Sequence, residues 1–127
     1  MNRIISTITE SQLEILKVLW REQKEMSVQE IIQAFESNSD WSASTIKTLI
    51  RRLHEHGVLA MTYDGVRKYT SVVSEEDYRS YQAEQLVEKT FEGNAGHLIA
   101  ALYKKKKMIN KGEIDRLRAL LDEEMDQ

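Results

Sequence analysis

The side chains whose types and spacing are best suited to chemistry lie in the stretch WSASTIKTLIRRLHEHG, residues 41–57. Four of them recur at helical spacing and supply two hydroxyls and two cations without a carboxylate: Ser44, Lys47, Thr48 and Arg51. An exposed helix face usually mixes acids with bases, so a face without acids needs a reason. Hydroxyl and cationic groups contact the phosphates and base edges of nucleic acids. The alternative interpretation is an ordinary solvated face.

Three amphipathic helices are predicted to position these side chains. Thr9 and Ser27 each precede a Gln or Glu by three residues, which is the capping-box pattern at the start of a helix. Ser42 is the predicted N-cap of the third helix, and Gly57 is its predicted left-handed C′ residue. The apolar face that packs this third helix on a core consists of Ile46, Leu49, Ile50 and Leu53.

The chain after Gly57 changes from helical to β periodicity. Residues 58–63 and 66–73 are both β-prone, and Asp64 and Gly65 between them are a tight-hairpin signal. Arg67 and Lys68 follow the turn directly, so the hairpin carries cations near its tip. Three short helices followed by such a hairpin predict a winged helix-turn-helix domain over residues 1–73. In that fold the third helix enters the DNA major groove and the wing follows the backbone.

Each predicted DNA contact follows from its place in this domain. The start of the third helix normally reaches base edges, and its polar residues are Ser42, Ser44, Thr45, Lys47 and Thr48. A lysine there can donate to guanine, and a threonine can offer its hydroxyl or its methyl group to a base. Cations farther along the helix and on the wing are expected to hold phosphates, which positions the protein without specifying sequence. These cations are Arg51, Arg52, Arg67 and Lys68.

Residues 74–127 are predicted to be a helical dimerisation region with three further amphipathic helices. The whole chain then has a mainly α fold with a small β component (α+β). A chain of 127 residues offers these helices no second core, so the same region of another copy is the expected partner. An intramolecular cap on the first domain is the alternative. The residues assigned to the interface are Leu86, Phe91, Leu98, Ile99, Leu102, Ile114, Leu117, Leu120 and Leu121.

The net charge of −3 is weak evidence against a nucleic-acid partner, because the charge is unevenly distributed. Residues 1–72 hold nine basic and nine acidic residues, whereas residues 73–127 hold nine basic and twelve acidic residues. Zero Cys excludes disulfides, thiolate metal sites and thiol catalysis, and it agrees with a cytoplasmic location. The sequence contains no apolar run long enough to span a bilayer and no signal-peptide core, so no membrane partner is expected.

The sequence offers no catalytic, metal or cofactor site. His54 and His56 flank Glu55, but side chains two residues apart on a helix point about 200° apart and cannot share one metal. No phosphate-binding loop, nucleophile elbow or HExxH motif occurs. The acidic residues lie at caps or on amphipathic helices, so no catalytic carboxylate pair can be assigned. An enzyme is therefore not expected.

The segment DWSASTIKTLIRRLHEHGVL, residues 40–59, resembles the penicillinase-repressor family, which includes the BlaI, MecI and CopY repressors. The resemblance extends to TESQLEILKVLW, VQEII, SVVSEEDY, FEGNAGHLI and IDRLRALLDE, and so covers nearly the whole chain. It implies a homodimeric winged-helix transcriptional repressor that binds a near-palindromic operator in double-stranded DNA.

The resemblance also implies two kinds of release signal, and this sequence departs from both. Penicillinase repressors are cleaved at an Asn-Phe bond, whereas the matching positions here are Ala100, Ala101 and Leu102. Copper-responsive members bind metal through Cys-x-Cys motifs, and this chain has zero Cys. The inducer, the operator and the regulated genes stay open. The alternative function is a winged-helix module that binds a protein or a ligand without sequence-specific DNA binding.

Overall fold

The computed structural model describes residues 2–37, 39–105 and 108–126. By its contacts the chain divides into two units, Met1–Tyr81 and Gln82–Gln127. The helices are α1 (Asn2–Ile5), α2 (Glu10–Glu22), α3 (Val28–Phe35), α4 (Ala43–Glu55), α5 (Glu75–Thr90), α6 (Ala95–Lys105) and α7 (Lys111–Met125). The strands are β1 (Met26–Ser27), β2 (Leu59–Tyr63) and β3 (Arg67–Ser71). This architecture confirms the predicted winged helix, with α4 as its third major helix.

The two predicted capping boxes are confirmed. At α2, the Gln12 backbone N–H donates to the Thr9 hydroxyl and the Thr9 N–H donates to the Gln12 side chain, both at 3.2 Å. At α3, the Glu30 N–H donates to the Ser27 hydroxyl at 3.2 Å, and the Ser27 N–H donates to the Glu30 carboxylate at 3.0 Å. That last hydrogen bond lowers the pKa of Glu30, because it stabilises the ionised carboxylate.

Helix α4 begins and ends where its sequence predicts. The Thr45 backbone N–H donates to the hydroxyl of Ser42 at 3.1 Å, which caps the N-terminus. Gly57 has φ = +80°, and the Val58 N–H donates to the Leu53 carbonyl at 2.9 Å. This is a Schellman ending, in which a left-handed residue reverses the chain. The chain therefore passes directly from α4 into β2.

The predicted hairpin is present, with one more strand than the sequence indicated. The antiparallel sheet has the order β1-β3-β2, with Tyr69 opposite both Met26 and Met61. Tyr63 pairs with Arg67, so residues 64–66 form a three-residue loop. Strand β1 has two residues, too few for a β period to be recognised in the sequence.

The first unit is built around one hydrophobic core. The apolar face of α4 is buried as predicted, and the helix packs against α2, α3 and β2. The Trp20 indole N–H donates to the Val73 carbonyl at 2.9 Å, and its ring lies 5.7 Å from that of Tyr78. Tyr78 and Tyr81 pack on this core, so the start of α5 belongs to the first unit. The domain boundary between residues 73 and 74 stays a prediction.

The second unit consists of the end of α5 together with α6 and α7. The predicted break after α5 is confirmed, with φ = +50° at Glu92 and +83° at Gly93. Asn110 caps α7, where its side chain accepts the Glu113 N–H at 3.0 Å. None of the described residues of this unit is buried. No helix in the described part of the chain has the length and apolar character needed to cross a bilayer.

Candidate nucleic-acid interface

An open groove lies between α4 and the β2–β3 hairpin, which we call the wing. We refer to this feature as the α4–wing groove. Five of the predicted DNA-binding residues line it: Ser44, Lys47, Thr48, Arg51 and Arg67. Four come from successive turns of α4 and the fifth comes from β3. The fold thus brings a wing cation to the polar face of the predicted DNA-reading helix.

The two wing cations lie on opposite faces of the hairpin, because side chains alternate along a strand. Arg67 pairs with Tyr63 and is exposed on the face that borders the α4–wing groove. Lys68 pairs with Thr62 and is half-buried on the other face. The Thr62 hydroxyl donates to the Glu25 carboxylate, which places an acid on the face of Lys68. Arg67 therefore has the better position for a contact shared with α4.

The remaining predicted contacts on α4 lie outside the groove lining. Ser42 and Thr45 are exposed at the N-terminus of the helix, with their hydroxyl oxygens 3.1 Å apart. Arg52 is exposed next to Arg51. The N-terminus of a helix carries free backbone N–H groups and a partial positive charge, which suit a phosphate. These three residues could extend a DNA contact on either side of the groove.

The predicted face of α4 is not free of acids over its whole length. Glu55 continues the spacing of Thr48 and Arg51 by one more turn, and its Oε1 lies 3.6 Å from the Arg51 Nε. The prediction of a face without carboxylates was wrong, because the helical spacing was followed only as far as Arg51. Both side chains are more than half exposed, at 64% and 59%, and such pairs contribute about 0–1 kcal/mol. A DNA phosphate can therefore compete for the guanidinium.

Sequence reasoning missed several residues of the groove: Val28, Ile50, His54, Met61 and Tyr69. The helical spacing that selected Lys47 and Arg51 also reaches His54, so a signal for this residue existed. No sequence pattern points to Met61 or Tyr69, since their position in the groove depends on the register between β2 and β3. Tyr63, opposite Arg67 at the wing tip, is 71% exposed and is also a candidate contact.

His54 and His56 do not form a common site. His54 borders the groove, whereas His56 is the C-cap residue of α4. Within residues 2–37, 39–105 and 108–126, no cluster of three or more His, Asp or Glu side chains could hold a metal ion.

The residues assigned to dimerisation all lie in the second unit, and none is buried within a single chain. Leu86 of α5 and Leu120 and Leu121 of α7 are 44%, 54% and 51% exposed. The others are half-buried: Phe91, Leu98, Ile99, Leu102, Ile114 and Leu117. Apolar side chains of this size are costly to leave in water, so this surface is one that a partner can cover.

Comparison with known proteins connects these features to a family. The model of the penicillinase repressor family matches residues 8–123. The methicillin resistance regulatory protein MecI of Staphylococcus aureus strain N315 is 28% identical over 116 residues, which span 91% of this chain and 93% of that protein. The penicillinase repressor of Bacillus licheniformis is 27% identical over 120 residues, covering 94% and 92% of the two chains.

Solved structures resemble the first part of the fold. The solution structure of the monomeric form of Bacillus licheniformis BlaI, in complex with the blaP half-operator, has a TM-score of 0.50 and 35% sequence identity. It covers 56% of this chain and 87% of that one. A solution structure of the DNA-binding domain of the repressor BlaI matches with the same values. The matched family consists of repressors, in agreement with the prediction that the chain is not an enzyme. A family match over residues 8–123 places the chain in the penicillinase repressor family.

Proposed function

We propose that the chain is a cytoplasmic transcriptional repressor that binds a near-palindromic DNA operator as a homodimer. The observation that carries this proposal is the α4–wing groove, where Lys47, Arg51 and Arg67 converge beside the hydroxyls of Ser44 and Thr48. Cations on two separate elements suit a duplex, whose phosphates flank a groove of readable base edges. The half-operator bound by the related BlaI supports the same assignment.

The proposed contacts divide into base-reading and phosphate-holding residues. Lys47, with Ser44 and Thr48, lies on the N-terminal half of α4 and is assigned to base edges. Arg51 and Arg67 border the same groove farther out and are assigned to phosphates. The outer contacts complete the set: Ser42 and Thr45 at the helix N-terminus, and Arg52 and Lys68 as additional phosphate contacts.

The second unit supplies the proposed dimer interface. Its apolar side chains on α5, α6 and α7 find no buried position within the described chain. A two-fold interface uses the same surface on both copies, so one amphipathic surface is sufficient to form it. Two-fold symmetry then predicts two half-sites with centres about 10 bp apart, or a multiple of that spacing.

The release signal is a separate proposal. Ala100, Ala101 and Leu102 lie inside α6, where the backbone is hydrogen-bonded. Cleavage at this position would require local unwinding and would occur at a bond other than Asn-Phe. Thiolate copper sensing is not available to these 127 residues, which include zero Cys. A small molecule would leave the chain intact, so mass spectrometry of induced cells distinguishes this route from proteolysis. A metal held by His and carboxylate groups would also leave it intact, but the described residues of one chain supply no cluster of three such side chains.

The test of the function is DNA binding by the full chain at a series of salt concentrations. Selection from a random-duplex library first identifies the preferred site. A protein that neutralises several phosphates should then lose affinity steeply with salt, with a slope of about −0.9 per phosphate. Lys47→Ala should reduce the preference for the selected site over random duplex by about 1–3 kcal/mol. A flat salt plot with no selected sequence would reject the proposal.

A further inference from the structure

The imidazole of His54 has no role in the contacts assigned above, although it borders the α4–wing groove. It lies on α4 one turn beyond Arg51 and faces the wing. Its ring centroid is 5.9 Å from that of Tyr69, and the two ring planes meet at 78°. This is an edge-to-face arrangement, which is favourable for aromatic pairs.

Tyr69 makes a rigid support for this imidazole. It is only 8% exposed and occupies the central strand, with Met26 and Met61 as its neighbours across the sheet. His54 is itself exposed, and no residue in the described part of the chain hydrogen-bonds to its ring nitrogens. The imidazole is therefore held at the groove surface with its polar atoms available to an external partner.

The charges around His54 are those of an anion site. The charged and titratable groups that face it from its own helix and from the wing are Lys47, Arg51, Arg67 and Tyr69. The groove residues on α3 and β2, Val28 and Met61, carry no charge. The adjacent acid, Glu55, is paired with Arg51. No carboxylate is among the described residues that line the groove, so a phosphate of the bound molecule is the anion best placed to pair with a protonated His54.

We infer that His54 is a phosphate-binding residue of the α4–wing groove and that it takes up a proton from solvent when DNA binds. The charge of a histidine changes between about pH 5 and 8, and a nearby anion favours its charged form. The ring N–H formed by protonation donates to a phosphate oxygen. The inference rests on the proposed DNA-binding function and adds to it one contact whose strength depends on pH.

Anisotropy of a labelled mixed-sequence duplex, long enough for two half-sites, measures this coupling with the full chain. If the protonated imidazole contacts a phosphate, the wild type should bind roughly three- to tenfold more tightly at about pH 6 than at about pH 8. The plot of log K against log[salt] should also become steeper by about 0.9 per subunit, as expected for one additional phosphate contact.

Three variants separate His54 from other sources of pH dependence. His54→Gln should bind equally at both pH values, with the shallower salt slope throughout. His54→Lys carries a fixed charge and should bind at the higher pH as tightly as the wild type does at the lower. His56→Gln removes a histidine on the same helix outside the groove lining, and it should retain the full pH dependence. Circular dichroism checks that each variant is folded.

The outcomes separate the two proposals. If the wild type binds duplex with a steep salt slope but His54→Gln retains its pH dependence, the role of His54 is rejected while the DNA-binding function stands. The same conclusion follows if His56→Gln, and not His54→Gln, loses the pH dependence. If the wild type binds neither this duplex nor any selected site at either pH, both proposals are rejected.

Discussion

The two units of this chain differ in where their apolar side chains go. In the first unit, apolar residues from the helices and strands meet in a core, and every buried hydrophobic residue among those described lies between Ile5 and Val73. In the second unit, helices of similar length bury nothing completely, and Leu120 and Leu121 remain about half exposed. The first unit has a complete hydrophobic core of its own. The second unit has an apolar surface that no other part of the described chain buries. In the proposed repressor, the first unit reads DNA and the second unit pairs with another copy of the chain.

The largest expected effect comes from a charge in the second unit. Leu121→Asp places a carboxylate in the proposed interface, where burying an unpaired charge is costly. The variant should be monomeric at micromolar concentration, and its operator affinity should fall by about a hundredfold or more, because the two half-sites are no longer bound together. Sedimentation and anisotropy measure these two changes.

Ala119→Asp is the matched control for this substitution. Ala119 is exposed on α7 but lies about 200° around the helix from Leu117, outside the apolar face. The control should remain dimeric. If Leu121→Asp is also dimeric, the apolar surface of the second unit is not the interface, and the contrast between the two units loses its functional meaning.

A pair of leucines compares the stability of the units directly. Leu53→Ala removes a side chain with 0% exposure from the core of the first unit and should cost about 2–5 kcal/mol of unfolding free energy. This loss should not depend on protein concentration. Leu120→Ala removes a side chain that is 54% exposed, so its effect should appear mainly as a lower, concentration-dependent melting temperature. If both variants lose the same stability and neither loss depends on protein concentration, the proposed roles of the two units as a folded core and a dimer interface are contradicted.

The two wing cations test whether DNA binding depends on one face of the first unit. Arg67→Ala should weaken binding to all sequences and reduce the salt slope by about 0.9 per subunit. Lys68→Ala makes the same kind of change on the opposite face and should have a smaller effect, since Lys68 is half-buried away from α4. Equal slopes for the two variants would show that both faces of the wing contact DNA.

The smallest expected effect concerns the start of α3. The pKa of Glu30 is lowered chiefly by the Ser27 backbone N–H, so the folded state favours the carboxylate. The stabilisation is complete above the ordinary pKa of 4.5 and is lost as the pH falls through the lower folded-state value. Glu30→Gln should remove this part of the acid-induced drop in melting temperature. If the melting temperature of Glu30→Gln depends on pH as that of the wild type does, this cap contributes no pH-dependent stability.

Half of the residues that line the α4–wing groove could be predicted from sequence, and the limits of that prediction have identifiable causes. The caps at Ser27 and Ser42 and the ending at Gly57 each depend on residues within a few positions, so they were confirmed. The prediction that this face of α4 has no acid failed at Glu55, because the helical spacing was followed for too few turns. Tyr69 was missed because a residue in a strand joins a site only through its register with distant residues.

By itself, the sequence determined the local structure: where helices begin and end, which of their faces are apolar, and that a hairpin follows α4. These properties depend on hydrogen bonds and periodicity within short segments. Only the tertiary structure decided that β1 pairs with β3, that Arg67 and not Lys68 faces α4, and that His54 rests against Tyr69. Those facts depend on strand register and packing between segments far apart in the chain, which no local pattern encodes.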